Sequence, residues 1–473
     1  MTLDVYNTHM ELYPYKKDDY PILEDKYSVV GKMDQKIHPC GYLIDNGKLF
    51  LPRGTSISFI ESLTKCVTNY IKESDPSDLM SRSHSSLYDP RDDLQRDSIK
   101  FLQDDYPQLG LNLGTGKGKT FCVAYTTTLL DKKALIITPN EGIKQQWIDT
   151  YFKKFDYKAK NLMNIAGSNV IEGIMEDLYE EADVYFVNHQ TLHSYLMSHN
   201  GFIFHQFMKK LKIGIKVYDE SHMQFGNILL IDFFSNTERT WYLTATFDRS
   251  DTGESACFKR AFQSVITYGK TESEEATKKH IIYHTINMNS RIDMKNRSWL
   301  MAYPGFTAIK YGQYAFLKDE KDSTYQVILE ILKKVDNVEG KILIFVPIID
   351  AVEEICKKLK KDYTNKSCGV YHSKMSASEK EVTLNKKDII ISTIKSCGTG
   401  KDIPGLRCVI CAEPVASKVV IEQTLGRLRP YAPDKDTYFF DIVDRSIPPC
   451  TWWHRGRMKK IQSLAKEVKE LNI

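Results

Sequence analysis

The chain has no long hydrophobic run, no clustered cysteines and almost no excess of one charge. Its longest apolar stretches, such as Ile342–Ile349, fall far short of the ~20 residues that cross a bilayer, so no membrane partner is expected. Ten cysteines are scattered over 473 residues. That spacing excludes a disulfide-stapled secreted domain and fits a reduced compartment. Cys408 and Cys411 form one C-x-x-C inside an apolar run. No second pair stands at zinc spacing, so both read as strand residues. The first residues are acidic and polar rather than an apolar signal region, and the expected location is the cytoplasm. With 65 basic and 61 acidic residues the net charge is +4. This excludes a polybasic tail and leaves room for a local basic groove. Internal repeats and low-complexity segments are absent too.

What is present is alternation. Residues 1–80 read as a small α+β accessory module. Gly41-Tyr-Leu-Ile and Lys48-Leu-Phe-Leu flank an Asp45-Asn-Gly turn, a hairpin signal. A Pro52-Arg-Gly turn and a helix near residues 56–72 follow, then a polar linker over 74–92. The module carries nine basic and twelve acidic residues, too acidic for a general nucleic-acid clamp. It is expected to influence the choice of junction more than basal turnover. Residues 93–267 alternate apolar strands (Ala134–Thr138, Val184–Val187, Ile215–Tyr218, Thr240–Leu243) with helical stretches. A charged stretch at 270–279 breaks the rhythm. It resumes over 278–473, with strands at Ile281–Ile286, Ile342–Phe345, Gly369–Tyr371, Asp388–Ser392, Cys408–Ala412 and Thr437–Phe440. Such runs argue for parallel sheets covered on both faces.

The strongest local signal is Leu113-Gly-Thr-Gly-Lys-Gly-Lys-Thr120 ahead of a helical run at Phe121–Leu130. Closely spaced glycines turn backbone N–H groups inward into an anion nest at a helix N-terminus. Gly114, Thr115, Gly116, Lys117 and Gly118 would cradle phosphates, Lys119 would reach the β/γ-phosphates, and Thr120 would hold Mg²⁺. The strict pattern wants glycine where Leu113 stands. About 100 residues on, Asp219 and Glu220 end an apolar strand in Lys216-Val-Tyr-Asp-Glu-Ser-His222. Asp219 there suits a Mg²⁺ ligand and Glu220 a base for the attacking water.

Asp-Glu-Ser-His resembles the DExH box of superfamily 2 helicases and translocases, and other helicase motifs follow in order over 93–445. Gln95 resembles the glutamine that reads adenine. Ile137-Thr-Pro-Asn-Glu-Gly-Ile-Lys-Gln-Gln-Trp147 resembles motif Ia, Asn188-His-Gln-Thr191 motif Ib and Leu243-Thr-Ala-Thr246 motif III. Lys341–Pro347 resembles motif IV, Tyr371-His-Ser motif IVa, Ser392–Pro404 motif V and Gln423-Thr-Leu-Gly-Arg-Leu-Arg429 motif VI. The resemblance implies two tandem RecA-like domains with parallel sheets (93–267 and 278–473), ATP and Mg²⁺ as cofactors, and Arg427 and Arg429 as cationic fingers on the transferring phosphoryl group. The usual second arginine would fall at 430, which is proline, so Arg429 substitutes or Arg427 acts alone. Gly400 and Asp402 would line the same cleft. Thr138, Asn140, Asn188, Thr191, His372 and Thr393 would contact a strand's phosphates, which carry little sequence information.

The Gln-Gln-Trp segment and Thr-Ala-Thr resemble the XPB-like and phage UvsW-like branch most. That implies a 3′→5′ DNA helicase or translocase of replication, recombination or repair, monomeric, acting on single-stranded, forked or branched DNA in a host cytoplasm if phage-borne. An RNA-dependent ATPase and the motor of a restriction or defence complex are the alternatives. A RecA-fold binding protein without activity is disfavoured by Lys119, Asp219, Glu220 and Arg427. Trp452-Trp-His-Arg-Gly-Arg-Met-Lys-Lys460 interleaves aromatics with bases. It suits either a stacking site for nucleic acid or a helix that packs its tryptophans inward.

Overall fold

The computed structural model describes residues 1–16, 18, 23, 28–30, 37–39, 42–44, 47–114, 117–221, 223, 225–244, 259–269, 280–303, 305–397, 403–429 and 435–472. The chain divides into two compact units, Met1–Thr271 and Glu272–Ile473.

The first unit is built on seven strands in the order Leu162–Ile165, Val184–Asn188, Ala134–Thr138, Ile215–Tyr218, Arg239–Thr244, Gln108–Asn112 and Ile266–Tyr268, every neighbouring pair parallel. The apolar runs explain the burial on both faces. Ala134 and Ile136 belong to one core, Leu135 and Ile137 to the other, as the two-residue period of a strand requires. The second unit repeats the plan: Cys368–Tyr371, Ile389–Ser392, Lys341–Phe345, Leu406–Cys411, Thr437–Asp444, Ile281–Met288 and Glu467–Asn472, again all parallel. Ile342 and Ile344 face one core, Leu343 and Phe345 the other. Two parallel, doubly covered sheets are the tandem RecA-like arrangement expected from the sequence. Cys408 and Cys411 are fully buried strand residues.

The N-terminal residues form a five-stranded sheet, Tyr42–Ile44, Lys48–Pro52, His9–Tyr13, Thr2–Val5 and Val67–Tyr70. The expected hairpin is there, pairing Tyr42–Ile44 with Lys48–Pro52. The helix expected over 56–72 is shorter, Ile57–Thr64. It stops at Lys65, whose φ of 53° is left-handed. β-Branched Val67 and Thr68 and aromatic Tyr70 favour an extended chain, and Val67–Tyr70 pairs in parallel with Thr2–Val5.

This module is joined to the first unit's large sheet through one shared helix. The Phe225–Phe233 helix lies between them. Phe225, Leu229 and Phe233 pack with Leu3, Met10, Phe50 and Leu51, while Ile228 and Ile231 face the large sheet. A helix buried on both sides needs apolar residues on both faces, and this one has them, with Asp232 as a buried polar exception. Residues 74–92, expected as a linker, are irregular but anchored. Asp183 accepts hydrogen bonds from the Ser81 hydroxyl at 2.8 Å and pairs with buried His84 at 2.9 Å. The His84 ring stacks on Tyr157 at 3.7 Å. Among the described residues no helix is long and apolar enough to cross a membrane.

Candidate functional site

The Gln108–Asn112 strand, rich in leucine, delivers the chain to Leu113 and Gly114. The Lys119–Leu130 helix starts directly after Gly118. Gly118 sits at φ 88°, and a Cβ there would lie 2.3 Å from the Gln95 side-chain nitrogen. Both the backbone angle and the crowding require glycine. Gln95, nearly buried, donates to the Lys117 carbonyl at 3.3 Å and accepts from the Arg91 N–H at 2.8 Å. Its amide thus holds the loop's outer rim. Lys119 Nζ donates to the Leu113 carbonyl at 2.7 Å, spanning the mouth of the loop. Thr120 follows in the first helical turn, partly exposed. Thr115 and Gly116 lie outside the described residues, as do Gly400 and Asp402, His222 and the last two residues of the Thr244-Ala-Thr triplet.

Two strands away, Ile215–Tyr218 ends at Asp219. The intervening strand Arg239–Thr244 ties the site together. Leu113 N–H donates to the Thr244 carbonyl at 3.2 Å, and Ser221 N–H to the Leu243 carbonyl at 2.8 Å. Asp219 is nearly buried. Trp147 Nε1 donates to its Oδ2 at 2.7 Å, and Glu220 N–H to its Oδ1 at 2.9 Å. Burial, then the neighbouring Glu220, push its carboxyl up to about 6 against the opposing pull of Trp147 and Lys119. Glu220 has φ 49°, a left-handed angle that costs a non-glycine residue roughly 1–2 kcal/mol. It is fixed by its own carbonyl, which accepts from Met223 N–H at 2.7 Å. Strain held by surrounding structure at a carboxylate is a mark of functional sites. Among the described residues no three His, Cys, Asp or Glu side chains gather as a metal cage. A divalent ion here would therefore complete its shell from phosphate oxygens and water, as Mg²⁺ does at NTP sites.

Chemically, a glycine-shaped anion cradle, a lysine at its mouth and a carboxylate held at raised pKa suit a nucleoside triphosphate with its divalent ion. Glu220 is the candidate base beside them.

The six residues expected to touch a strand's phosphates all occur where strands end, or one to three residues beyond. Their side chains differ in freedom. Thr138 is buried, its hydroxyl donating to Asn188 Oδ1 at 3.0 Å. Asn140 caps the Glu141–Lys154 helix by accepting from Ile143 N–H at 3.0 Å. Asn188, partly exposed, donates to Glu141 Oε2 at 3.2 Å, and Thr191 is partly exposed one turn on. His372 pairs with Glu353 at 2.7 Å. Thr393 Oγ1 donates to the Ser396 hydroxyl at 2.9 Å. Thr138, His372 and Thr393 thus shape the loops more than they face out of them. Arg427 and Arg429 lie, partly exposed, in the turn after the Lys418–Leu425 helix.

A family model described as helicase conserved C-terminal domain matches residues 323–429. Another, described as type III restriction enzyme, res subunit, matches residues 85–249. Together with the structural neighbours they indicate a superfamily 2 helicase. The curated relatives match at low identity. Transcript termination protein A18 of Yaba monkey tumor virus is 23% identical over 382 residues, covering 76% of this chain and 72% of that protein. Its namesake from Yaba-like disease virus is 21% identical over 343 residues, 67% of this chain and 64% of that one. Of solved structures, S. cerevisiae Dbp5 bound to RNA and ADP BeF3 aligns with a TM-score of 0.54 and 15% identity over 80% of this chain and 89% of its own. An ATP-dependent type ISP restriction-modification enzyme, LlaBIII, bound to DNA, aligns at 0.56 and 15% over 82% of this chain and 31% of its own. Helicase domains imply an ATP-hydrolysing enzyme of nucleic acid, typically with Mg²⁺.

Two supporting residues were not singled out as site residues in the sequence. Trp147 ended the run resembling motif Ia, yet only the fold sets its indole against Asp219. Asp232 is deeper. It accepts hydrogen bonds from Tyr218 and Tyr242, both at 2.7 Å, and pairs with Lys216 at 2.6 Å. Gln108 joins the same network, donating to the Tyr242 hydroxyl at 2.8 Å and to the Thr8 carbonyl of the N-terminal module at 3.3 Å. The strands leading to Gly114, Asp219 and Thr244 are therefore tied to one buried carboxylate. An aspartate amid apolar residues was the one available signal, and sequence does not name its partners.

Proposed function

We propose that the chain is an ATP-driven DNA translocase or helicase of the XPB-like and UvsW-like kind, moving 3′→5′ along one strand. The observation carrying this reading is the pairing of Trp147 with Asp219. The tryptophan of the Gln-Gln-Trp segment, on which the branch resemblance rests, holds the carboxylate assigned to Mg²⁺. The match to the res subunit of a type III restriction enzyme over residues 85–249 and the likeness to a DNA-bound enzyme support DNA. In this mechanism Gly114–Gly118 and Lys119 would bind the phosphates, and Thr120 and Asp219 would hold Mg²⁺. The ion, when bound, would supply charge neutralisation to the phosphates. Glu220 orients and deprotonates the attacking water, and Arg427, with Arg429 as stand-in for the absent second arginine, supplies positive charge to the transferring group.

A second reading has its own support. The viral relatives are named transcript termination proteins, and Dbp5 is bound to RNA. On that reading the motor acts on a transcript. ATPase stimulation by matched single-stranded DNA, duplex DNA, forks and RNA, at one salt concentration, separates the two. The DNA reading expects stronger stimulation by DNA, independent of base sequence and weakening steeply with salt. It also expects better unwinding of a 3′ overhang than a 5′ overhang. Stronger stimulation by RNA, or unwinding from 5′ overhangs only, overturns it.

A further inference from the structure

The Pro448–Leu464 helix contains no carboxylate in 17 residues, and its faces do different things. Inward, His454 and Arg457 are buried against Asp441, at 2.9 and 2.5 Å. Lys460 pairs with Glu422 at 3.2 Å, and Trp453 packs edge-on against Phe306 with ring centres 5.0 Å apart. Outward stand Trp452, Arg455, Gly456 and Lys459, all exposed, at the i, i+3, i+4, i+7 spacing of one helix face. Trp452 is 64% exposed. A Cβ on Gly456 would meet nothing within 4 Å, so the face between the ring and Lys459 is open. Arg455 and Lys459 make no ion pair among the described residues.

Topology places this face usefully. All strands of the second unit's sheet run parallel, so their C-terminal ends share one edge. The segments resembling motifs IV, IVa and V leave from that edge, after Phe345, Tyr371 and Ser392. The Pro448–Leu464 helix starts there too, four residues after Asp444. Trp452 is in its second turn, about 6 Å along the axis. Tyr303, 98% exposed, stands three residues before Phe306, and the Phe306–Trp453 contact brings its segment to this helix. The Thr437–Asp444 strand is two places from Lys341–Phe345 in the sheet, a lateral offset of roughly 10 Å.

We propose that Trp452, Arg455 and Lys459, with Tyr303 nearby, form a contact for single-stranded nucleic acid outside the motor motifs. A base stacks on the indole and the two cations meet phosphates. The proposal rests on the reading of the chain as a nucleic-acid motor. Single exposed apolar side chains are ordinary on protein surfaces. An exposed indole aligned with two cations on a helix without carboxylates is complementary to a polyanion with flat bases.

The test uses the full chain and a fluorescein-labelled oligothymidylate, with the matched oligouridylate in parallel. Trp452→Ala is expected to weaken binding at least about fivefold, one stacked base. Trp452→Phe should retain most of the affinity while losing a share of the tryptophan quenching seen on binding. Arg455→Gln with Lys459→Gln should flatten the salt dependence by roughly 0.7 in log–log slope for each lost phosphate contact. ATPase without nucleic acid should be unchanged in all three. If Trp452→Ala and the double variant bind like the parent with the same slope, the proposal fails while the motor reading stands. If the parent itself binds neither oligonucleotide, the motor reading fails. If the variants bind strands normally but alter self-association in sedimentation, the face is a protein contact and the proposal is overturned.

Discussion

Asp219 and Asp441 are both buried carboxylates on parallel sheets, one in each unit, and they have opposite fates. Asp441 accepts from Tyr283 at 2.6 Å, His454 at 2.9 Å and Arg457 at 2.5 Å. Burial works to raise its pKa, yet Arg457, His454 and Tyr283 together hold it at about 2. Asp219 receives two neutral donors, the Trp147 indole and the Glu220 amide, with a second carboxylate beside it, and rises to about 6. The contrast separates a finished ion pair from an unfinished one. Asp441 has its cation built in, so it serves the fold. Asp219 still lacks full compensation, and a divalent ion brought by a nucleotide would supply it.

Substitutions at both positions sharpen that difference. Asp219→Asn carries the largest expected effect on activity, a loss of hydrolysis of at least about a hundredfold, or ~3 kcal/mol of barrier. Its stability should stay within about 1 kcal/mol of the parent. The rise in melting temperature that Mg²⁺ with ADP gives the parent should vanish. Retained turnover would remove Asp219 from the site. Asp441→Ala should do the reverse. Leaving Arg457 buried and unpaired costs about 3–5 kcal/mol, read as a lower urea midpoint. Asp441's folded pKa lies below the ~3.9 of an unfolded aspartate. Its contribution is therefore complete above that value and lost as pH falls to about 2. The stability gap between parent and variant should close over that window.

Smaller effects test the donors. Trp147→Phe keeps an aromatic ring and deletes the one side-chain donor to Asp219 among the described residues. Partners that orient metal ligands typically affect metal affinity 10–100-fold, so the Mg²⁺ needed for half-maximal ATPase should rise by at least about tenfold. An unchanged Mg²⁺ requirement would show the indole is only packing. Tyr283→Phe removes one donor of three from Asp441. It should cost only about 1–2 kcal/mol with no change in the Mg²⁺ requirement; a changed requirement would break the division of labour between the two carboxylates.

The N-terminal module is where sequence and structure part most. Its slight acidity suggested an appendage that selects junctions. The shared core with Phe225, Leu229 and Phe233 makes it part of the support beneath Asp219. Deleting residues 1–80 would strip that core, so such a deletion tests folding before it tests choice of junction. Nothing in residues 1–80 alone could show this, because the other half of the core lies some 200 residues away.

Locally encoded features were legible. Gly118 announced its loop because only glycine takes that backbone angle beside Gln95. Apolar β-branched runs announced the central strands because both their faces are buried. Of the edge strands, Cys368–Tyr371 was read in the sequence as Gly369–Tyr371, whereas Glu467–Asn472 and Ile266–Tyr268 were not legible. Glu467–Asn472 is almost wholly exposed and reads as polar chain. It becomes a strand only because Ile281–Met288 offers an open row of backbone groups, and Ile266–Tyr268 does the same beside Gln108–Asn112. The site divides along the same line. The sequence by itself determined which residues are the candidates to bind phosphate, hold an ion and move a proton, since candidacy depends on chemical type and short spacing. The tertiary structure alone decided that Trp147 steadies Asp219, that Asp232 ties together three strands, and that Arg457 completes Asp441. Each of these joins residues with no local reason to meet, and each is held by burial that exists only once the sheets have closed.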